Sequence, residues 1–263
     1  MNQPPSAAPS RARRLAEMTS QEARESAEAG DIVLVPAGAL EQHGPAMPLG
    51  TDTIRAEAVC EDLGRRRPGD VVIGPVLPVG VSPHHLAMAG TLTLTTSTFT
   101  ALVREIALGL RRQGWRKILV VTGHGGNNAA LTTVAQDLLA VDRDLEFAWS
   151  PLTSLAGDVV REAGVSEIHG HCGEAETSQM LHVAPELVRE HLLEAGVTTM
   201  ADLDPTSALA RSFSQPTLTR PYDQLSSNGV LGDPRRATAE LGERILARII
   251  ERLDAFVERW SRL

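Results

Sequence analysis

The sequence predicts an α/β domain, a mainly parallel sheet with helices on both faces. Three observations carry that expectation. Short apolar runs alternate with longer amphipathic ones along the chain. The apolar runs, "DIVLVPAG" (31–38), "DVVIGPVLPVG" (70–80), "KILVVTG" (117–123) and "EFAWS" (146–150), are short and read as buried strands. The unusual polar clusters follow the ends of these strands, where open α/β sheets gather their ligands.

The helices follow in order. Residues 52–67 have helical spacing and end in basic residues, as a helix C-terminus prefers. Residues 97–114 open on Ser or Thr and close on Arg-Arg-Gln-Gly, a capped helix with a glycine stop. Helical spacing recurs over 128–142, over 173–188 just after a glycine, and over a long C-terminal stretch, 235–260. The segment from about 189 to 235 is the least regular and reads as an excursion within one domain. Residues 1–14 read as a disordered lead without the apolar core of a signal peptide, and 15–263 as one domain.

Composition narrows the function. The 25 basic and 33 acidic residues give a net charge of −8, which argues against a nucleic-acid binder. No window approaches the roughly 18 apolar residues of a membrane span. Lys117 is the sole lysine and sits at a strand entry, so a Schiff base is discounted. Cys60 and Cys172 form no CxxC pair and fit a reduced, cytoplasmic setting.

Four stretches carry chemistry. In "GALEQHGPAMPLGTDT", Glu41 and His43 share one side of an extended segment. Asp52 in the same stretch is either a helix N-cap or a third member of that site. In "VVTGHGGNN" (120–128) a strong strand runs into His124 among three glycines, with the spacing of neither a dinucleotide fingerprint nor a P-loop. "IHGHCGEAETS" (168–178) offers His169, His171, Cys172, Glu174 and Glu176. Dipole complementation accounts for the two carboxylates but not for the histidines, and Cys172 reads as a small buried neighbour. His84 and His85 in "VSPHHLAMAGTLTL" (81–94) are either a surface pair or substrate contacts at a rim, with Asn127 beside His124 a third such contact. Nitrogen and carboxylate ligands of this kind suit Zn²⁺, Mn²⁺ or Fe²⁺. Two such ions bridged by a carboxylate can share a hydroxide and polarise a carbonyl, which is hydrolase chemistry.

Together "GALEQHGPAMPLGTDT", "TGHGGNN", "HCGEAETSQML" and "NGVLGDPRRAT" resemble the creatininase (creatinine amidohydrolase) family, in its order and over about 31–255. The resemblance implies a three-layer α/β/α sandwich, two divalent metal ions, hydrolysis of a C–N amide-type bond by a metal-bound hydroxide, and a homohexamer. By position, Glu41 and His124 match ligands of one ion and His43 a ligand of the other, with Asp52 bridging. Creatininase proper takes its fifth ligand from a glutamate where this chain has Gly126. Most other branches have a glutamate after the glycine of the later motif, so Glu174 is expected as fifth ligand and Glu176 as its supporting or catalytic neighbour, the two being exchangeable. His171 matches a histidine proposed to act in ring opening and is the candidate for delivering a proton to the leaving nitrogen. Gly170 replaces a glutamate, the tryptophan lid has no match, and His84 stands where relatives usually have glutamate. These departures point to a branch other than creatininase proper. The substrate expected is a small amide or cyclic amide. Alternatives are a short modified peptide, as in mycofactocin maturation, or a formamide or ring-opening hydrolase of cofactor biosynthesis. A non-enzymatic metal-binding oligomer is the reading from a different class.

Overall fold

Strands rich in Val, Ile and Leu form a single four-stranded sheet. They are β1 (Ile32–Ala37), β2 (Val71–Ile73), β3 (Lys117–Thr122) and β4 (Glu146–Pro151), in the order β2-β1-β3-β4 and all parallel. The computed structural model describes residues 11–213 and 215–263. Side chains alternate across the pleat. Ile32, Leu34, Leu119 and Val121 pack against helices α2 (Thr51–Arg66) and α8 (Ala239–Ser261), while Val33, Val35, Ile118 and Val120 pack against α3 (Thr96–Arg112) and α4 (Asn128–Val141). The expected three-layer α/β/α sandwich results, with one apolar core on each face.

The remaining helices are α1 (Ser20–Ala29), α5 (Gly157–Glu162), α6 (Glu174–Val183) and α7 (Pro205–Ser212). The sequence reading did not anticipate α1, α5 or α7. Thr19 caps α1 in a reciprocal pair with Glu22, and Thr95 and Thr238 cap α3 and α8. Two expected elements are shorter. β2 stops at Ile73 before Gly74-Pro75, and α6 stops at Val183 before Pro185, because proline supplies no backbone donor.

Residues 1–10 of the expected lead lie outside the described residues. Residues 11–14 belong to the domain. Ala12 is buried with its N–H 2.8 Å from Glu61, Arg13 pairs with buried Asp31, and Arg14 lies 2.9 Å from Glu61. No helix among the described residues is long and apolar enough to cross a membrane.

The strand order places the site. The chain runs from β1 outward to β2 and then returns to the other side of β1 for β3. The carboxyl ends of β1 and β3 therefore flank the topological switch point, where a crevice opens. α2 begins in that crevice. A Cβ on Gly123, just past β3, would sit 2.1 Å from the Asp52 carbonyl oxygen, so glycine there is what lets the start of α2 come so close.

Candidate metal centre

Seven side chains from five segments converge at the switch point. Glu41 and His43 follow β1, Asp52 opens α2, His85 sits in a short 3-10 turn (Pro83–His85) after β2, His124 follows β3, and His171 and Glu176 come from the approach and first turn of α6. All are buried. His84 stacks on His124 with rings nearly parallel, so five of the chain's eight histidines share one locus.

The geometry is that of ligands facing inward. His43 Nδ1 donates to the Glu41 carbonyl at 3.0 Å, which leaves Nε2 free and aimed at Asp52 and Glu176, 3.6 Å from an oxygen of each. His124 Nε2 lies 3.0 Å from the Val81 carbonyl, and its Nδ1 lies 3.1 Å from Asp52 Oδ2 without hydrogen-bond alignment. Glu41 Oε2, His43 Nε2 and Asp52 Oδ2 are buried without any hydrogen-bond partner. Three orphaned acceptors around one point cost too much to leave bare, and a cation satisfies all of them. Asp52 therefore belongs to the site. It makes no capping bond, and the N-cap of α2 is Gly50.

Charge leads to the same place. Asp52 and Glu176 face one guanidinium, that of Arg55, which is fully buried, bonds Glu176 Oε1 and Gln179, and stands 3.5 Å from Asp52, while Glu41 faces the imidazoles of His85, His124 and His171. Burial, with Asp52 adding to it, raises the Glu41 carboxyl to about 7. Burial alone would lower His43 and His124, but the carboxylates override it and raise both to about 9, Asp52 and Glu176 acting on His43, Asp52 and Glu41 on His124. Asp52 is held well below the carboxylate range, against burial, by His43 and His124. Protons thus take the place that divalent cations would fill.

Three residues lie elsewhere than the sequence reading expects: Glu174, Asn127 and His85. Glu174 is not in the cluster. It is the first residue of α6, and its Oε1 accepts from Ser166 N (2.9 Å), Ser166 Oγ (2.5 Å) and Arg236 (3.3 Å). Glu176, two residues and about 200° further round the helix, turns Oε2 toward His43 and accepts from Cys172 N at 2.8 Å. Asn127 is not available to a substrate. Its amide donates to the Gly38 carbonyl and Thr122 Oγ1 and accepts from Val81 N, tying together the segments after β1, β2 and β3. His85 also differs from its expected place at the rim. It is buried, with Nδ1 2.8 Å from Gln42 Nε2 and Nε2 3.3 Å from Glu41 Oε1. Gln42 Oε1 accepts from Gly44 N, so Gln42 Nε2 is a donor and His85 Nδ1 accepts, which leaves His85 Nε2 facing Glu41 Oε1. His84 does stay at the outer edge, half-buried. His171 Nε2 donates to the Gln42 carbonyl at 2.8 Å and points Nδ1 at Glu41 Oε1, 3.5 Å away. His169 is exposed and outside the cluster. Cys172 is buried, which pushes its thiol well above the ordinary range.

Sequence reasoning missed Arg55, Gln42 and Tyr222. Arg55 carried a signal, since it lies on the same stripe of α2 as Asp52, Val59 and Cys60, spaced for the core. Tyr222 covers the outer face, with ring centroids 4.0 Å from His85 and 5.3 Å from both His84 and His171. Nothing local in the sequence links it to the site. Beside the centre a cleft of about 520 Å³ runs between α5 and α6, and it shares Arg55 and Glu176 with the cluster as one wall.

Known proteins match this chain over most of its length. The profile that describes creatininase (creatinine amidohydrolase) covers residues 16–257. A mycofactocin precursor peptide peptidase of Mycobacterium ulcerans (strain Agy99) is 34% identical over 238 residues, 87% of this chain and 85% of that one. The creatinine amidohydrolase of Pseudomonas putida is 28% identical over 258 residues, 88% and 90% of the two chains. A crystal structure of a creatininase variant in its Zn–Zn form shares the fold, with a TM-score of 0.78 at 24% identity over 93% of this chain and 96% of that one. The chain belongs to the creatininase family.

Proposed function

We propose that this creatininase-family C–N hydrolase cleaves an amide bond of a short or modified peptide, using two divalent cations held by Glu41, His43, Asp52, His124 and Glu176. The observation that carries the metal assignment is the set of buried, partnerless atoms on Glu41, His43 and Asp52. Glu41 and His124 would hold one ion and His43 and Glu176 the other, with Asp52 within reach of both. A Cβ on Gly126 would come within 2.3 Å of His124 Nε2, so position 126 has no room for a ligating side chain and α6 supplies the fifth ligand instead. Nitrogen and carboxylate donors of this kind accept Zn²⁺, Mn²⁺ or Fe²⁺. When bound, such a pair would supply Lewis acidity toward the amide oxygen and lower the pKa of a water.

The protein's own groups do the rest. His171 presents a lone pair at Nδ1, fixed by its Nε2–H bond to Gln42, where it takes up a proton and returns it to the leaving nitrogen. Burial, then the neighbouring His43 and His85, hold His171 well below the ordinary histidine range, so it starts neutral. Arg55 fixes Glu176 from behind and balances part of the carboxylate charge. The peptide is favoured over a small cyclic amide by the 34% identity to a peptide peptidase against 28% to a creatinine amidohydrolase. The departures at Gly170 and His84 favour it too. Buried free thiols at Cys60 and Cys172 suit a reducing cytoplasm, and a homo-oligomer, a hexamer by family resemblance, completes the proposal.

Metal-loaded protein incubated with short peptides, lactams, cyclic ureas and formamides, followed by mass spectrometry, tests the reading. Cleavage of peptides that is lost in Asp52→Asn is expected. Turnover of lactams alone would return the assignment to a small-amide hydrolase, and no turnover by a protein holding two ions would leave a metal-binding scaffold.

A further inference from the structure

The metal centre is closed on nearly every side. Glu41, His43, Asp52 and His124 are all at least 96% buried, so a substrate needs an opening among the outer residues. Two directions offer one. The cleft beside α5 and α6 reaches Glu176, but Arg55 stands on that side, bonded to Glu176 Oε1 and Gln179. A buried guanidinium held by two partners is a fixed wall. The other direction is the outer face formed by His84, His85 and His171, and it is covered by one ring, that of Tyr222.

Tyr222 comes from the irregular excursion, which contributes neither a strand nor a residue of the metal cluster. It begins a 3-10 turn (Tyr222–Gln224) packed against the Pro83–His85 turn. Its anchor is a small apolar cluster of Ile168, Leu225 and Leu231, separate from the two sheet cores. The segment before it is tied by Ser207 Oγ at 3.4 Å from the Gln224 carbonyl and Asp204 at 3.7 Å from Arg220, both weak contacts. The ring thus rests on three imidazoles of the site while its backbone belongs to a lightly held segment.

We propose that Tyr222 is a specificity-determining residue of this hydrolase: the group flanking the scissile amide lies against the Tyr222 ring, at the outer face where that ring covers His84, His85 and His171. The inference rests on the hydrolase reading above. It assigns Tyr222 a contact to substrate and no part in holding cations. The flat ring, rather than the phenolic hydroxyl, is the recognising surface.

Tyr222 is the chain's sole tyrosine, so 3-fluorotyrosine labels one position. Loading the labelled protein with Mn²⁺ should broaden its ¹⁹F line relative to the Zn²⁺-loaded form, because the paramagnetic ion lies close by. A line indifferent to Mn²⁺ would remove Tyr222 from the site, whatever the turnover. The functional arm uses peptides that differ only in the residue beside the scissile bond, from glycine to leucine and phenylalanine. In Tyr222→Ala the ratio of kcat/KM between the large and small members should fall by about tenfold or more, with two ions still bound. Tyr222→Phe should keep the wild-type ratio. An unchanged ratio in Tyr222→Ala, or a ratio that responds instead to Ser166→Trp in the cleft, would overturn the proposal. Absence of turnover by the wild-type protein on every member would sink the hydrolase reading itself, while the fluorine line would still report where Tyr222 lies.

Discussion

Exchanging one carboxylate for its amide at position 174 or at position 176 separates two neighbouring glutamates that the sequence alone leaves interchangeable. Glu176 Oε2 lies 3.6 Å from His43 Nε2, in the same space as the orphaned atoms of Asp52 and His43, whereas Glu174 binds Ser166 and Arg236 through Oε1 and turns its unpartnered Oε2 toward Gly232, away from that space. Removing a unit charge about 4 Å from another costs on the order of 4 kcal/mol at an effective dielectric near 20, roughly a thousandfold in affinity. Relief of repulsion among Glu41, Asp52 and Glu176 in the cation-free protein offsets part of that. Glu176→Gln is therefore expected to weaken binding of one ion by about a hundredfold or more, with the other less affected. Glu174→Gln should leave both affinities within about threefold and instead lower stability by roughly 1–3 kcal/mol, the worth of hydrogen bonds to a buried carboxylate. Titration calorimetry with Mn²⁺ or Zn²⁺ reads the first quantity and chemical denaturation the second. The reasoning is refuted if Glu174→Gln loses the ion and Glu176→Gln keeps it.

Further expectations concern charge, packing and protons. Arg55→Met should destabilise the cation-free protein by about 3–5 kcal/mol, measured in urea, because Glu176 and Asp52 lose their buried counter-charge; a neutral result would show that the guanidinium is dispensable. Ile249→Ala, in the core between α8 and the sheet, should cost about 2–5 kcal/mol without changing metal stoichiometry. Because His43 and His124 are raised to about 9, their protonation stabilises the cation-free fold below about pH 6.5, and that stability is lost as pH rises through 9. Chelator-treated protein should accordingly lose thermal stability across that window while the metal-loaded form gains affinity and stability as protons leave the ligands. Parallel melting profiles for the two forms would contradict this.

Much of the fold was legible because its signals are local. Apolar runs at β1 and β3, threonine caps before α3 and α8, and glycine after β3 each follow from a few adjacent residues. The helices α5 and α7 were not read because they are short, and α1 because its apolar stripe is thin and its core contribution small. Four of the five proposed ligands were legible for the same reason: each directly follows a strand or begins a helix. Glu174 and Glu176 differ only in rotation about α6, which the sequence does not fix until the partners, Ser166 and Arg236 on one side and Arg55 and His43 on the other, are in place. Gln42 stood inside the first motif, but its role depends on His85 and His171, 43 and 129 residues away. Tyr222 lies outside the motifs, and only the packing of the excursion onto the Pro83–His85 turn brings it to the centre.

The most direct measurement is anomalous diffraction from crystals of the protein loaded with Mn²⁺ or Zn²⁺. Two peaks ~3.5–4 Å apart are predicted between Glu41, His43, Asp52, His124 and Glu176, with Asp52 touching both and Glu174 touching neither. A single peak elsewhere, or no peak among these five side chains at saturating metal, would contradict the account.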